Sequence, residues 1–260
     1  MKLKIFILFN FLIFISLSAS TQTAEDYYNQ AKEIYIKDKA EAKNAIIILS
    51  KAIDICKQAK EIYSKDKAGE IIDSIYKEAL LLRAEIYENT TSYKEEIADL
   101  TTLIQLDISN AIYYKKRAMA YYLKKEADKS IEDYSKAFEL DTSMIECVYE
   151  RAIIYTEYYF EKKSKQAIND FDFCIKHGSI NIKSLSYFKR GFLYENMGEY
   201  DKSLADYNTA LKINPLNTEV YLYRGLLKIN MNQNGCYDLL KYRDMNGADA
   251  QEYMKKFCYK

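Results

Sequence analysis

Small residues recur along this chain at Ala84, Ala118, Ala152, Gly191 and Gly225, at intervals of 34, 34, 39 and 34 residues. Each stands in an apolar stripe of helical spacing. The preceding turn supplies Leu80, Tyr114, Val148, Tyr187 and Tyr221, and the following turn Tyr87, Tyr121, Tyr155 and Tyr194. A second stripe runs through Leu100, Tyr134, Phe171 and Tyr207, then Leu103, Ala137, Cys174 and Ala210. Apolar positions three and four apart predict amphipathic helices. Two stripes per period predict a helix-turn-helix unit, with the small residue where its helices cross. The units are 77–110, 111–144, 145–183 and 184–217, with a variant beginning over 218–234. The third carries about five extra residues, mostly around Tyr158 to Lys163. No helix here can bury its apolar face alone, so the units must stack into an all-α solenoid.

The stretch 184–217 is the most regular. It contains Tyr187-x2-Arg190-Gly191-x2-Tyr194, a turn at Met197-Gly198, Ser203-x3-Tyr207, Ala210 and Pro215. These residues resemble the tetratricopeptide repeat. The resemblance implies an α-solenoid forming a right-handed superhelix, whose first helices line a concave groove. The groove positions it implies lie one, five and eight residues after the first-helix core residue. The first two give Tyr149, Ile153, Phe188, Phe192, Leu222 and Leu226, an apolar stripe across three repeats. Such a stripe would mark a protein or peptide partner site, unless the insertion near Tyr158–Phe160 or the chain's own tail covers it. The corresponding Leu81, Glu85, Lys115 and Met119 are more mixed. The family's chaperone-tail clamp needs Asn where Met119 stands, so that activity is not implied.

A polar pair follows the same period. Arg83, Arg117, Arg151, Arg190 and Arg224 precede the small crossing residues, and Asp99, Asp133, Asp170 and Asp206 precede the second-helix core residues, with Asp238 in the tail. An arginine ladder for acidic ligands is one reading. Arg–Asp bridges within or between adjacent repeats are the reading that the spacing favours.

The ends differ from the middle. Residues 1–20 combine Lys2 and Lys4, an apolar run from Ile5 to Leu17, and Ser18-Ala19-Ser20, the form of a secretory signal peptide. The run is short for a membrane span, with an uncleaved anchor as the alternative. An exported, periplasmic or secreted protein with no stable membrane insertion after cleavage is expected. Residues 21–76 read as a degenerate N-terminal repeat or cap. Within them Gln30–Ala40 recurs almost verbatim as Gln58–Ala68, offset by 28 residues. Either this belongs to a lengthened capping repeat, or it is a duplicated charged helix serving solubility only. Residues 235–260 read as a C-terminal capping helical hairpin. Exported repeat proteins of this kind look similar at their ends, with a Gly-Cys-x-Asp-Leu start, here Gly235 to Leu239, and a Cys near the terminus. Cys236 and Cys258 would come side by side in an antiparallel hairpin and form a disulfide. Cys56, Cys147 and Cys174 read as buried small hydrophobes.

Composition narrows the function. Lys+Arg and Asp+Glu are both 38, which argues against nucleic acid or an anionic membrane as partner. His177 is the only histidine, and neither a C-x-x-C pair nor a Gly-rich phosphate loop is present, so no cofactor or metal is expected. Asn89-Thr90-Thr91 is a glycosylation sequon in a eukaryotic secretory system. The expected function is a non-catalytic protein-interaction scaffold. A structural subunit of an envelope or secreted assembly is the alternative. An enzyme would need two converging carboxylates of raised pKa.

Overall fold

The computed structural model describes residues 22–62, 67–246 and 250–258. The expected leader, 1–20, lies outside them. Among the described residues no helix is long and apolar enough to cross a membrane. The fold is an all-α solenoid of helical hairpins, and the chain divides into two compact units, one up to Glu126 and one from Ala127.

The first unit runs through helix α1 (22–37), a 3-10 turn (Lys39–Glu41), α2 (Ala42–Ile62), α3 (Lys67–Asn89), α4 (Tyr93–Leu106) and α5 (Ala111–Leu123). Each of α2 to α4 packs on the next in chain order. Ala45, Leu49 and Ala52 of α2 are fully buried. The duplicated segment has a structural place: each copy begins within a helix, and the first ends in the 3-10 turn and the second within α3. The first copy ends α1, and its Asp38 carboxylate caps the 3-10 turn by accepting from the Ala40 N–H at 2.8 Å. The second copy ends α2 and enters α3, with 63–66 outside the described residues. Ala31 and Ala59, the matching second residues of the copies, are both buried. Because α3 starts at Lys67, it runs through Lys77, where the period first becomes regular.

The second unit runs through α6 (Ala127–Leu140), α7 (Ile145–Tyr158), α8 (Phe160–His177), α9 (Ile180–Asn196), α10 (Tyr200–Ile213), α11 (Thr218–Asn230), α12 (Cys236–Asn246) and α13 (Ala250–Phe257). Its second-helix core residues Tyr134, Phe171 and Tyr207 are fully buried. A Cβ on Gly191 would lie 2.9 Å from the Tyr207 ring, so no larger residue fits that crossing.

One backbone device closes the turn inside each regular repeat. The second residue after the first helix is left-handed: Thr91 (φ 57), Lys125 (φ 62), Gly198 (φ 76) and Asn232 (φ 58). The next N–H then reaches back five residues, from Ser92 to Tyr87 O, Glu126 to Tyr121 O, Glu199 to Tyr194 O and Gln233 to Lys228 O. This 6→1 bond satisfies a carbonyl that the helix end would otherwise orphan. The repeat with the insertion lacks the device. There α7 passes into α8 through Tyr159 (φ −134), and α8 itself is non-helical at Lys163 (φ −128, ψ 17). Between repeats, Asp107 and Asp141 each accept from the backbone N–H and hydroxyl of the serine two residues on. These bonds hold both carboxyls below the ordinary carboxylate pKa.

Candidate partner-binding face

The arginines are not free to meet a ligand. Arg83 donates through Nε and Nη2 to both oxygens of Asp99, each at 2.7 Å. Arg151 holds Asp170 (2.8 and 2.7 Å), Arg190 holds Asp206 (2.8 and 2.7 Å) and Arg224 holds Asp238 (3.0 and 2.6 Å) in the same fork. All four pairs join the two helices of one hairpin. The third guanidinium nitrogen reaches the preceding second helix: Arg83 to Ser50, Arg117 to Thr101, Arg151 to Ser135, Arg190 to Asp172 and Arg224 to Asn208. Asp133 is buried on α6. Tyrosines of the apolar stripe flank the guanidiniums, as with Tyr187 and Tyr194 at 5.4 and 5.7 Å from Arg190. Each such arginine therefore clamps its own repeat and the one before it. The spacing suggested the carboxylate partner. The Ser, Thr, Asp and Asn partners carry no sequence signal beyond position, since any short polar side chain serves.

The residues of the expected apolar stripe lie on α7, α9 and α11, with one correction. Phe188 is buried, not on the surface. The cause is Tyr223 of the next first helix, whose ring lies 5.5 Å from Phe188, while Tyr207 of α10 lies 6.0 Å away on another side. Helix α9 packs against both α7 and α11. Tyr149, Ile153, Phe192, Leu222 and Leu226 are all half-buried. Tyr149 leans edge-on against the buried Phe171 at 6.0 Å, and burial raises its hydroxyl pKa. Phe192 meets Tyr223 edge-on at 5.4 Å. Phe188 is thus the floor beneath a wall of partly covered apolar side chains.

A carboxylate sits in that wall. Glu195 is half-buried one turn beyond Phe192, and its Oε2 accepts from the Tyr207 hydroxyl at 2.7 Å. Burial raises its pKa, and the Tyr207 hydrogen bond opposes the rise. Glu195 is eight residues after Tyr187, the third position of the groove template, so its place was legible. Tyr223 was not, because the template names its neighbour Leu222.

The cap closes as expected. Cys236 and Cys258 form a disulfide with Cα atoms 5.7 Å apart, tying the start of α12 to the end of α13. Asp238 is fully buried between Arg224 and Lys228, whose ammonium lies 2.7 Å from it. A Cβ on Gly235 would fall 2.0 Å from Gly225 O, so the cap's backbone lies directly on α11. Cys56, Cys147 and Cys174 are buried and lie outside the disulfide. Burial pushes the Cys56 thiol up to about 11 and the Cys174 thiol to about 12, which leaves both inert at neutral pH.

With this geometry in view, the comparisons agree. The family model described as tetratricopeptide repeat matches residues 184–217. That stretch of the chain is a tetratricopeptide repeat. The chain is 30% identical over 120 residues to the human mitochondrial import receptor subunit TOM70, a match covering 45% of this chain and 19% of that protein. The chain therefore spans about a fifth of that relative's length. A tetratricopeptide repeat protein from Parabacteroides merdae superposes with a TM-score of 0.63 at 18% identity, over 87% of this chain and 81% of that one. YrrB, described as a tetratricopeptide protein with an unusual peptide-binding site, superposes with a TM-score of 0.55 at 15% identity, over 77% of this chain and 97% of its own. These solved structures establish the tetratricopeptide fold of the chain and no more than that.

Proposed function

We propose that this protein is a non-catalytic interaction scaffold that holds a protein or peptide against the α7–α9–α11 face, in an exported compartment. The observation that carries the reading is the row of partly covered apolar side chains Tyr149, Ile153, Phe192, Leu222 and Leu226, contributed by successive first helices. A repeat protein that needed these residues only for stacking would bury them as it buries Phe188. Two similar proteins support the reading by their descriptions: YrrB is said to have a peptide-binding site, and TOM70 is named as a receptor subunit. Balanced charge speaks for a protein partner over nucleic acid. The leader form of 1–20 and the Cys236–Cys258 disulfide both suit an oxidising compartment.

The test is a capture experiment from the secreted or envelope fraction. The mature protein is compared with a Phe192→Ala, Leu226→Ala variant of matched thermal stability. A partner retained by the first and lost by the second supports the reading. Equal capture by both overturns it. A stable dimer in sedimentation, abolished by the same two substitutions, would instead assign the face to self-assembly.

A further inference from the structure

We infer that the α9–α11 part of this face is a subsite for a cationic side chain, and that the peptide it takes carries a Lys or Arg among apolar residues. The inference deepens the proposed function and rests on it. Its ground is the contrast between half-buried Glu195 and the acids of the arginine clamps. Asp99, Asp170, Asp206 and Asp238 each have an arginine. Among the described residues Glu195 makes no ion pair, and its Oε1 accepts no hydrogen bond; the one side chain donating to it is neutral Tyr207. Two lysines of the same helices are engaged elsewhere. Lys228 is held by Asp238 at 2.7 Å, and Lys189 lies over the Phe188 ring at 5.2 Å.

The surroundings of Glu195 suit a cation from outside. Phe192 precedes it by one helical turn, and Tyr223 lies edge-on to Phe192. Tyr223 also feels the charges of Glu195 and Glu219, and Glu219 is exposed one turn before Tyr223 on α11. A Lys or Arg entering here would meet a carboxylate already fixed by a hydroxyl, with aromatic rings beside it, and its aliphatic stem would cover Phe192 and Leu226. A purely apolar peptide would strip water from Glu195 and return nothing. An acidic peptide would be repelled by Glu195 and Glu219 together.

The experiment is a random decapeptide library with acetylated N-termini, selected separately on the full-length wild-type protein and on E195Q. Gln keeps an oxygen for Tyr207, so the fold is retained, with the melting temperature as control. The expected result is about tenfold enrichment of Lys or Arg flanked by apolar residues on wild type, falling to background on E195Q, the scale of one charge-assisted hydrogen bond. Apolar peptides enriched without a basic residue, or the same basic enrichment on E195Q, would overturn the subsite while leaving the binding face standing. Enrichment seen only in a parallel library with free N-termini would reassign the cation to an amine and overturn the side-chain proposal. No enrichment at all on wild type would overturn both readings.

Discussion

Tyr207, fully buried on α10, donates its hydroxyl to the half-buried Glu195 of α9 at 2.7 Å, linking the two helices of one repeat. Tyr207→Phe removes that donor and keeps the ring. The expected cost is about 1–2 kcal/mol of unfolding free energy at neutral pH, the range for a hydrogen bond to a charged group. The Glu195 pKa rises further in the variant, because the one interaction that lowers it is lost. Urea unfolding and carboxyl titration by NMR check both points.

The arginine clamps predict a non-additive pattern. Asp206→Asn leaves Arg190 partly buried without its fork and should cost about 2–4 kcal/mol. Replacing both together, as Arg190→Met with Asp206→Leu, should cost less than Asp206→Asn alone. A double-mutant cycle measures the coupling.

Glu96 gives the first unit a pH dependence. It is buried on α4, its Oε2 has no partner, and burial with the nearby Glu88 charge pushes its pKa up to about 7, against the opposing pull of Lys116. The folded state therefore holds this proton over a window where the unfolded chain, with a glutamate pKa of about 4.3, has released it. Glu96 thus contributes stability that is present below about pH 4 and lost as pH rises through about 7. Glu96→Gln should remove this slope and raise stability above neutral pH by on the order of 2 kcal/mol. Chemical denaturation of wild type and variant at several pH values tests it.

Thr91 occupies a left-handed turn position where its repeat counterparts are Lys125, Gly198 and Asn232. A β-branched residue is the least suited of the four to positive φ. Thr91→Gly should stabilise the first unit by about 1 kcal/mol, visible as a higher melting temperature.

The cap disulfide closes a loop with a sequence separation of 22. Cys258→Ser should lower stability by about 3 kcal/mol on the chain-entropy account. Reductant should bring the wild type down to the variant and leave the variant unchanged.

Much of the fold is legible in the sequence because the repeat writes one physical requirement several times. Ala84, Ala118, Ala152, Gly191 and Gly225 mark the crossings of the regular repeats, and the recurring Arg–Asp spacing marks the clamps. What stays hidden depends on neighbours that no single unit encodes. Phe188 sits at a groove position, yet Tyr223 of the following repeat roofs it. The left-handed turns at Thr91 and Lys125 carry no glycine to announce them, because the 6→1 hydrogen bond enforces the geometry. Glu96 reads as one more charge in an acidic first turn, and only packing reveals that its carboxyl is enclosed. The duplicated N-terminal segment leaves two readings open from sequence, and both of its copies begin within a helix.

The covalent loop from Cys236 to Cys258 also changes what a protease can do to the chain's end. Lys241, Arg243, Lys255 and Lys256 all fall inside it. A cut at any of them opens the backbone without shedding a fragment, since both pieces stay joined through sulfur. Losing the terminal helix then takes two chemically different events, a nick and a reduction, and in an oxidising milieu the second does not follow the first.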